Sequence, residues 1–399
     1  DHLRTSGHLA AVGGLAYLNS LLDAVPTSSN AAHYARIVRQ KSMLRRAIGV
    51  AIETIAAAYA EPEDAEEFVA GVERRFGEIV DGAPAAHGLR PMAAVVHEAF
   101  GRIESALARG GEPPGATTGL AAIDDATGGL CPGDVIVLSG LTGTGKTTLA
   151  VQVAAAAAAT TRRHALIVSL EMEDAALVTR LLSADSGVPA WALRWGRVSA
   201  ADLASATVSA NRLAREPIVF TPHGCRTPAR LRAPARTAHR AAGLSCVVVD
   251  YLQLVRPDSR HDNREGEIAE VARAMKTLAM ELRVPVIVAA QLNRETTKHG
   301  DGRPVLADLK GSSEIEQSAD IVAFLYRSCD TADVTELLVR KNRNGPTGTV
   351  LLGWDRARVR YVAAPQGAAA QAPAQTQRRR RPSGNGVDWR SRIAGETEA

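Results

Sequence analysis

Eight residues narrow the possible folds of this chain more than any others: Gly140-Leu141-Thr142-Gly143-Thr144-Gly145-Lys146-Thr147. They form a complete G-x-x-x-x-G-K-[ST] pattern, directly after the apolar run Val135–Ser139 and at the start of a helical segment. A strand on one side and a helix on the other is the context in which this pattern makes a phosphate-binding loop. The glycines let backbone N–H groups wrap phosphates at a helix N-terminus. Gly140, Gly143, Gly145, Lys146, Thr147 and Thr148 are therefore expected to bind a nucleotide. Lys146 would reach the β- and γ-phosphates, and the Thr147 hydroxyl would coordinate Mg²⁺.

The surrounding sequence fits that loop into an α/β domain. Short β-branched runs (Val135–Ser139, Ala165–Leu170, Ile218–Phe220, Cys246–Asp250, Val284–Ala290, Ile321–Leu325 and Glu336–Lys341) alternate with helical segments between residues 117 and 364. Alternation of this kind predicts a mostly parallel sheet with helices on both faces. Aromatic residues are only 4% of the 399, so the core must be aliphatic and alanine-rich.

Residues 1–88 read as helical. Tyr34, Ile37, Val38, Met43, Leu44, Ile48 and Ile55 recur near helical spacing after the cap candidates Thr27–Asn30, and a second helix restarts after Glu61–Glu67. Across residues 89–116, Met92, Val95, Val96, Phe100, Ile103 and Leu107 make a narrow apolar stripe on one helix, followed by the flexible joint Gly110–Gly115. That helix either packs on its own domain or docks on a neighbouring subunit. Residues 365–399 are Ala/Gln/Pro-rich, carry Arg378–Arg381, and are expected to be a disordered basic tail.

Charge and cysteines restrict the compartment and partners. Lys plus Arg number 47 against 43 Asp plus Glu, a formal +4 that permits a polyanion partner without demanding one. The four cysteines are scattered, which argues against a disulfide framework or zinc site and favours a cytoplasmic location. No uncharged apolar run reaches the roughly 18 residues needed to span a bilayer. The N-terminus lacks the pattern of a signal peptide. The sequence begins at Asp1 without a methionine and is expected to be a piece of a longer protein.

Five further residues carry candidate chemistry. Asp250 ends an apolar strand and is well placed to hold Mg²⁺ through water. Glu171, in Ser169-Leu170-Glu171-Met172, is either a base that polarises an attacking water or an acid stabilised by a helix dipole. Gln291 follows another apolar strand, where its amide would either donate to a γ-phosphate or simply end the strand. Lys341 and Arg343, in Lys341-Asn342-Arg343-Asn344-Gly345, are either a solvated basic tip or cations that serve the nucleotide of an adjacent subunit.

Taken together, residues 117–364 resemble the motor domain of the bacterial replicative DNA helicase family, DnaB, a branch of the RecA-type hexameric ATPases. The resemblance is collinear through Thr118-Gly119, Gly128-Gly129-Leu130, the phosphate loop, Ser169–Met172, Asp250-Tyr251-Leu252-Gln253-Leu254, Gln291–Arg294, Ile315-Glu316-Gln317, Ala319-Asp320 and Lys341–Gly348. It implies a RecA-like fold and a homo-hexamer that hydrolyses ATP with Mg²⁺. The same resemblance implies 5′-to-3′ movement on single-stranded DNA, with a primase and a helicase loader as partners. Glu171 resembles the catalytic glutamate, Asp250 the metal-site aspartate and Gln291 the γ-phosphate-sensing glutamine. Lys341 and Arg343 resemble the cations supplied by the next subunit. Residues 1–88 resemble the later part of the family's helical N-terminal domain, and Pro91–Arg109 its linker helix, which favours docking on a neighbour.

For the nucleic acid, the resemblance places Asp308–Ser313 in a central channel, with Lys310, Gly311 and Ser313 gripping the phosphate backbone. Such contacts carry no sequence information and suit a motor that must ignore sequence. Arg294, Lys298 and Arg303 would add a basic funnel or be solvated. The sequence departs from the family at Lys310 (usually Arg), Gly311 (usually an acid), Glu314 (usually small) and Ser318 (usually an acid). The phosphate-loop interior also differs, and the chain reads as a divergent member of phage or mobile-element type. A RecA/RadA-like filament-forming recombination protein is the alternative.

Overall fold

The computed structural model describes residues 31–60, 65–80, 92–108, 110, 113–222, 224–292, 302–309, 312–329 and 332–365. The cap candidates Thr27–Asn30, the tail with Arg378–Arg381, and Arg294, Lys298, Lys310 and Gly311 lie outside them. The chain divides into two units, Asp1–Pro114 with Cys225–Pro234, and Gly115–Gly224 with Ala235–Ala399. No helix among the described residues is long and apolar enough to cross a membrane.

In the first unit, α1 (Ala31–Tyr59) and α2 (Ala65–Val80) follow the predicted periodicity. Arg75 on α2 lies 3.7 Å from Glu53 on α1, and Ile79 is buried. Helix α3 (Met92–Ala108) carries the stripe of Met92, Val95, Val96, Phe100, Ile103 and Leu107, and all six are exposed.

The second unit holds α4 (Ala121–Thr127) and a nine-stranded sheet. In chain order come β1 (Val135–Gly140), α5 (Lys146–Thr161), β2 (His164–Ser169), α6 (Asp174–Ser186), α7 (Ala190–Trp195), α8 (Ala200–Leu213) and β3 (Ile218–Phe220). Helix α9 (Pro228–Ala242) comes next. It is followed by β4 (Leu244–Asp250), α10 (Arg264–Leu282), β5 (Val286–Gln291), α11 (Ser312–Ser318), β6 (Ile321–Tyr326), β7 (Val334–Asn342), β8 (Gly348–Asp355) and β9 (Arg360–Ala363). The strand order is β3-β2-β4-β5-β1-β6-β7-β8-β9. The first six are parallel, as predicted.

One edge of the mostly parallel sheet is antiparallel. β7 runs antiparallel to β6, and β8 and β9 continue antiparallel from it. The connection from Tyr326 to Val334 is too short for the helical crossover that a parallel strand needs. β8 and β9 have no counterpart among the β-branched runs of the sequence. Gly348 and Gly353 weaken the local strand signal, and pairing with β7 supplies what propensity lacks.

The aliphatic core forms where α5 lies on the sheet. Ala154, Ala157 and Ala158 are fully buried there against Ile167, Cys246 and Val248. Alanine at successive turns lets the helix approach the strands closely, so a core with few aromatics still packs to normal density. Strand register then does the positional work. Gly140 is level with Gln291, and Ser169 is level with Asp250, so residues distant in sequence finish at one carboxyl edge. β1 lies between β5 and β6 while the chain leaves it for β2, and such a switch point is where open α/β sheets bind ligands.

Candidate active site

The phosphate loop leaves β1 at Gly140 and enters α5 at Lys146. Gly143 (φ 83°) and Gly145 (φ 94°) adopt left-handed backbone conformations that other residues rarely take. A side-chain carbon on Gly145 would also stand 2.8 Å from the Tyr361 hydroxyl. The loop is braced from the antiparallel edge: Tyr361 on β9 and Arg327 both donate to the Thr144 carbonyl, the latter at 3.3 Å. Gln152 on α5 pairs with both the N–H and the carbonyl of Tyr361, at 2.9 and 2.8 Å. Burial pushes the Tyr361 phenol up to about 12, so it remains a donor across the physiological range.

Five predicted residues converge beside this loop. A cleft with about 760 Å³ of empty space is lined by Lys146, Thr147, Glu171, Asp250 and Gln291. Lys146 Nζ donates to the carbonyls of Gly140 and Leu141, at 2.8 and 3.0 Å. Burial lowers its pKa, opposed by the charges of Asp250 and Glu171. Asp250 is 2% exposed, and burial raises its carboxyl above the usual range. The neighbouring Thr147 hydroxyl opposes that shift. Asp250 Oδ2 and the Thr148 hydroxyl are buried with no hydrogen-bond partner among the described residues. A hard oxygen donor that is buried and unsatisfied, next to a hydroxyl, suits a hydrated Mg²⁺, so these residues fit the ion that the loop pattern implies.

Glu171 lies in the turn after β2, two residues before Glu173, the N-cap of α6. It therefore lies just before the helix, at the sheet edge that also carries Asp250. The turn is fixed by Ser169 Oγ donating to the Met172 carbonyl at 2.5 Å and by Leu170 N–H donating to the Asp250 carbonyl at 2.9 Å. Gln291 ends β5, where the Gln253 side chain holds its backbone on both sides, at 3.3 and 3.5 Å.

Sequence reasoning missed three lining residues: Arg180, Trp354 and Val359. Arg180 projects from α6. Burial lowers its pKa, while Asp250 and Glu171 oppose that shift. Trp354 sits on the unpredicted strand β8, 4.8 Å from the Tyr361 ring, with the Arg327 guanidinium 4.7 Å over its face. Only the apolar spacing around Trp354 could have signalled it.

Lys341 and Arg343 do not reach this cleft. They cluster around Asp320, which is 4% exposed and sits at the opposite end of β1. Asp320 Oδ2 accepts from Val135 N–H at 2.8 Å, and β1 then runs about 17 Å to Gly140. Arg343 donates to Asp320 Oδ1 at 3.1 Å, and Lys276 to Oδ2 at 2.6 Å.

Of the predicted strand-binding residues, Ser313 is exposed in the first turn of α11; Leu309, ahead of it, pairs with Leu292 beside the end of β5. Arg303 does not line an open funnel. It makes a two-pronged ion pair with Glu336, at 2.7 and 2.9 Å, and lies 5.2 Å over the Tyr326 ring. A carboxylate on the neighbouring strand has claimed it.

Comparison with known proteins decides the family. Residues 115–363 match the DnaB-like helicase C terminal domain, and residues 1–40 match the DnaB-like helicase N terminal domain. The chain belongs to the DnaB-like helicase family. It is 34% identical to the replicative DNA helicase DnaB of Geobacillus stearothermophilus, across 90% of this chain and 81% of that one. It is likewise 34% identical to the replicative DNA helicase DnaC of Bacillus subtilis strain 168, across 91% and 81%. Among solved structures it is similar to a DnaB-like replicative helicase solved for its interactions with primase (TM-score 0.64, 25% identity, 91% of this chain and 86% of that one). It is also similar to a solved ATPase domain (TM-score 0.65, 26% identity, 70% and 100%). With both family models those of a DnaB-like helicase, the recombinase alternative is the less supported reading.

Proposed function

We propose that the chain is an ATP-driven replicative DNA helicase that assembles as a homo-hexamer and moves 5′ to 3′ on single-stranded DNA. ATP binds through Gly140, Gly143, Gly145, Lys146, Thr147 and Thr148, with Mg²⁺ held by Thr147 and Asp250. Glu171 orients the attacking water, Gln291 reports the γ-phosphate, and Lys341 and Arg343 arrive from the next subunit. Held there, the ion would supply neutralisation of the charge that develops on the phosphates. Lys310, Gly311, Ser313 and Arg294 contact the strand.

The observation that carries this reading is the division of charged groups between the ends of β1. Lys146, Glu171, Asp250 and Gln291 share one cleft, whereas Lys341 and Arg343 are held about 17 Å away. Such cations serve a nucleotide only when a second copy brings its own cleft to them.

Residues 1–88 serve as a helical N-terminal domain, 89–116 as a linker whose exposed stripe docks on a neighbour, 117–364 as the motor and 365–399 as a basic tail. The likeness to a helicase solved with primase supports a primase as partner, and a loader would place the ring on DNA at the replication fork in the cytoplasm.

The deciding experiment compares fork unwinding and DNA-stimulated ATP hydrolysis by wild type, Glu171→Ala and Arg343→Ala. Both variants are expected to bind nucleotide and to lose unwinding, with a hydrolysis loss on the order of 10³-fold for Arg343→Ala. Wild-type hydrolysis without unwinding at any protein concentration would overturn the helicase reading in favour of a filament-forming recombinase.

A further inference from the structure

We propose that helix α7 is a second contact for single-stranded nucleic acid, with Trp191 and Trp195 stacking on bases and Arg194 and Arg197 pairing with phosphates. This face belongs to a different part of the fold from the strand-binding residues named above. Helix α7 packs on α6, whereas α11, which carries Ser313, packs on α10.

Two of the chain's four tryptophans stand on this one short helix, four residues apart and so on one face. Trp191 is 54% exposed and Trp195 65%. A side chain that ordinarily buries most of its surface is thus left to water twice within about one turn. The helix is held in place without either ring. Ala192 is buried beneath it, Ala190 N–H donates to the Ala357 carbonyl in the β8–β9 turn at 2.9 Å, and Arg197 N–H donates to the Ala192 carbonyl at 2.9 Å. Just ahead of it, Ser183 Oγ donates to the Val188 carbonyl at 2.6 Å. The two rings therefore sit on a fixed base, and little freedom is lost when a flat partner stacks on them.

Charge selects that partner. Arg194 and Arg197 are exposed beside the rings and form no ion pair among the described residues. The Arg197 guanidinium lies 5.1 Å over the Trp195 ring. Carboxylates on the flanking helices are committed elsewhere: Asp185 pairs with Arg212, and Asp202 accepts from Ser199 at the start of α8. An apolar and positive face is complementary to a strand that offers flat bases and anionic phosphates together. The ring centroids are 6.3 Å apart, with planes at 78°. That spacing exceeds the rise of about 3.4 Å between neighbours along one strand of a duplex. The platform therefore suits bases splayed from a single strand, and stacking of this kind reads no sequence.

The test titrates the full chain, without nucleotide, with an oligothymidylate and follows tryptophan emission and strand affinity together. A Lys310→Ala background weakens the contact proposed above, so that the face on α7 dominates the signal. Stacking should quench the emission. Trp191→Ala with Trp195→Ala should lose the quench and weaken affinity roughly 10- to 100-fold, whereas Phe at both positions should keep most of the affinity. Arg194→Gln with Arg197→Gln should flatten the slope of log K against log salt by about 1.4, the value for two phosphates of a single strand.

Unchanged affinity in the tryptophan-to-alanine variant overturns the strand contact and leaves the proposed function standing. A changed oligomeric state in that variant with affinity intact, read by sedimentation, also overturns it and makes the face an interface between proteins. Should that variant fail to melt cooperatively, the arginine pair decides, and an unaltered salt slope overturns the contact.

Discussion

The phenol of Tyr361, on the last strand of the sheet, donates to the Thr144 carbonyl inside the phosphate loop, 217 residues earlier in the chain. The conformation of the loop thus depends on an antiparallel edge far from it in sequence. Tyr361→Phe should lower stability by about 1 kcal/mol, the net value of one buried hydrogen bond. It should also weaken nucleotide binding severalfold while leaving the bound-state hydrolysis rate nearly intact. Thermal melts and a nucleotide titration check both.

Glu171 lies outside α6 in a turn pinned to β4, so its substitution should disturb chemistry rather than folding. Glu171→Gln is expected to melt like wild type, bind ATP and lose about 10²- to 10⁴-fold in kcat. Single-turnover hydrolysis separates this from a slowed product release.

Asp250 makes a prediction about pH. Burial, the largest influence on it, raises its carboxyl, so the folded protein keeps that proton to higher pH than the unfolded chain does. Its stabilising contribution is present below the unfolded pKa and is lost as pH rises through the folded one. Without nucleotide, Asp250→Asn should therefore melt a few degrees above wild type at neutral pH, and this difference should disappear on acidification. With Mg²⁺ on the Asp250 carboxylate, as proposed above, the sign reverses. Stabilisation by Mg-ATP should grow with pH in wild type and stay flat in Asp250→Asn, as melts with and without Mg²⁺ would record.

Trp354 lines the cleft while Trp191 and Trp195 are exposed on α7. Nucleotide binding should therefore change tryptophan emission through Trp354. Trp354→Phe is expected to abolish that change and to weaken binding modestly, whereas Trp191→Phe and Trp195→Phe should keep it.

Much of the site was legible before any coordinates, and for a definite reason. Phosphate binding needs residues at fixed short spacing, so the loop from Gly140 to Thr147 announces itself. Asp250, Gln291 and Glu171 each lie at or just beyond the end of an apolar run, and parallel strands deliver their carboxyl ends to one edge. Arg180 was not legible, because one arginine on a helix face resembles any solvated arginine until the helix is packed. Arg303 shows the opposite case: a basic loop residue left open between a funnel and a solvated loop is paired with Glu336, 33 residues away.

By itself, the sequence determined the local grammar of this protein: the strand–loop–helix that receives phosphate, the alternation that makes the sheet mostly parallel, and the motifs that declare the family. Local spacing and periodicity act over a few residues, and those are written in the chain. The tertiary structure alone decided which side chains meet. It set Tyr361 against the phosphate loop, gave Arg303 to Glu336, and hung Lys341 and Arg343 on the end of α11, far from the cleft of their own chain. Those outcomes depend on strand order, register and burial, which exist only once distant segments have packed against one another.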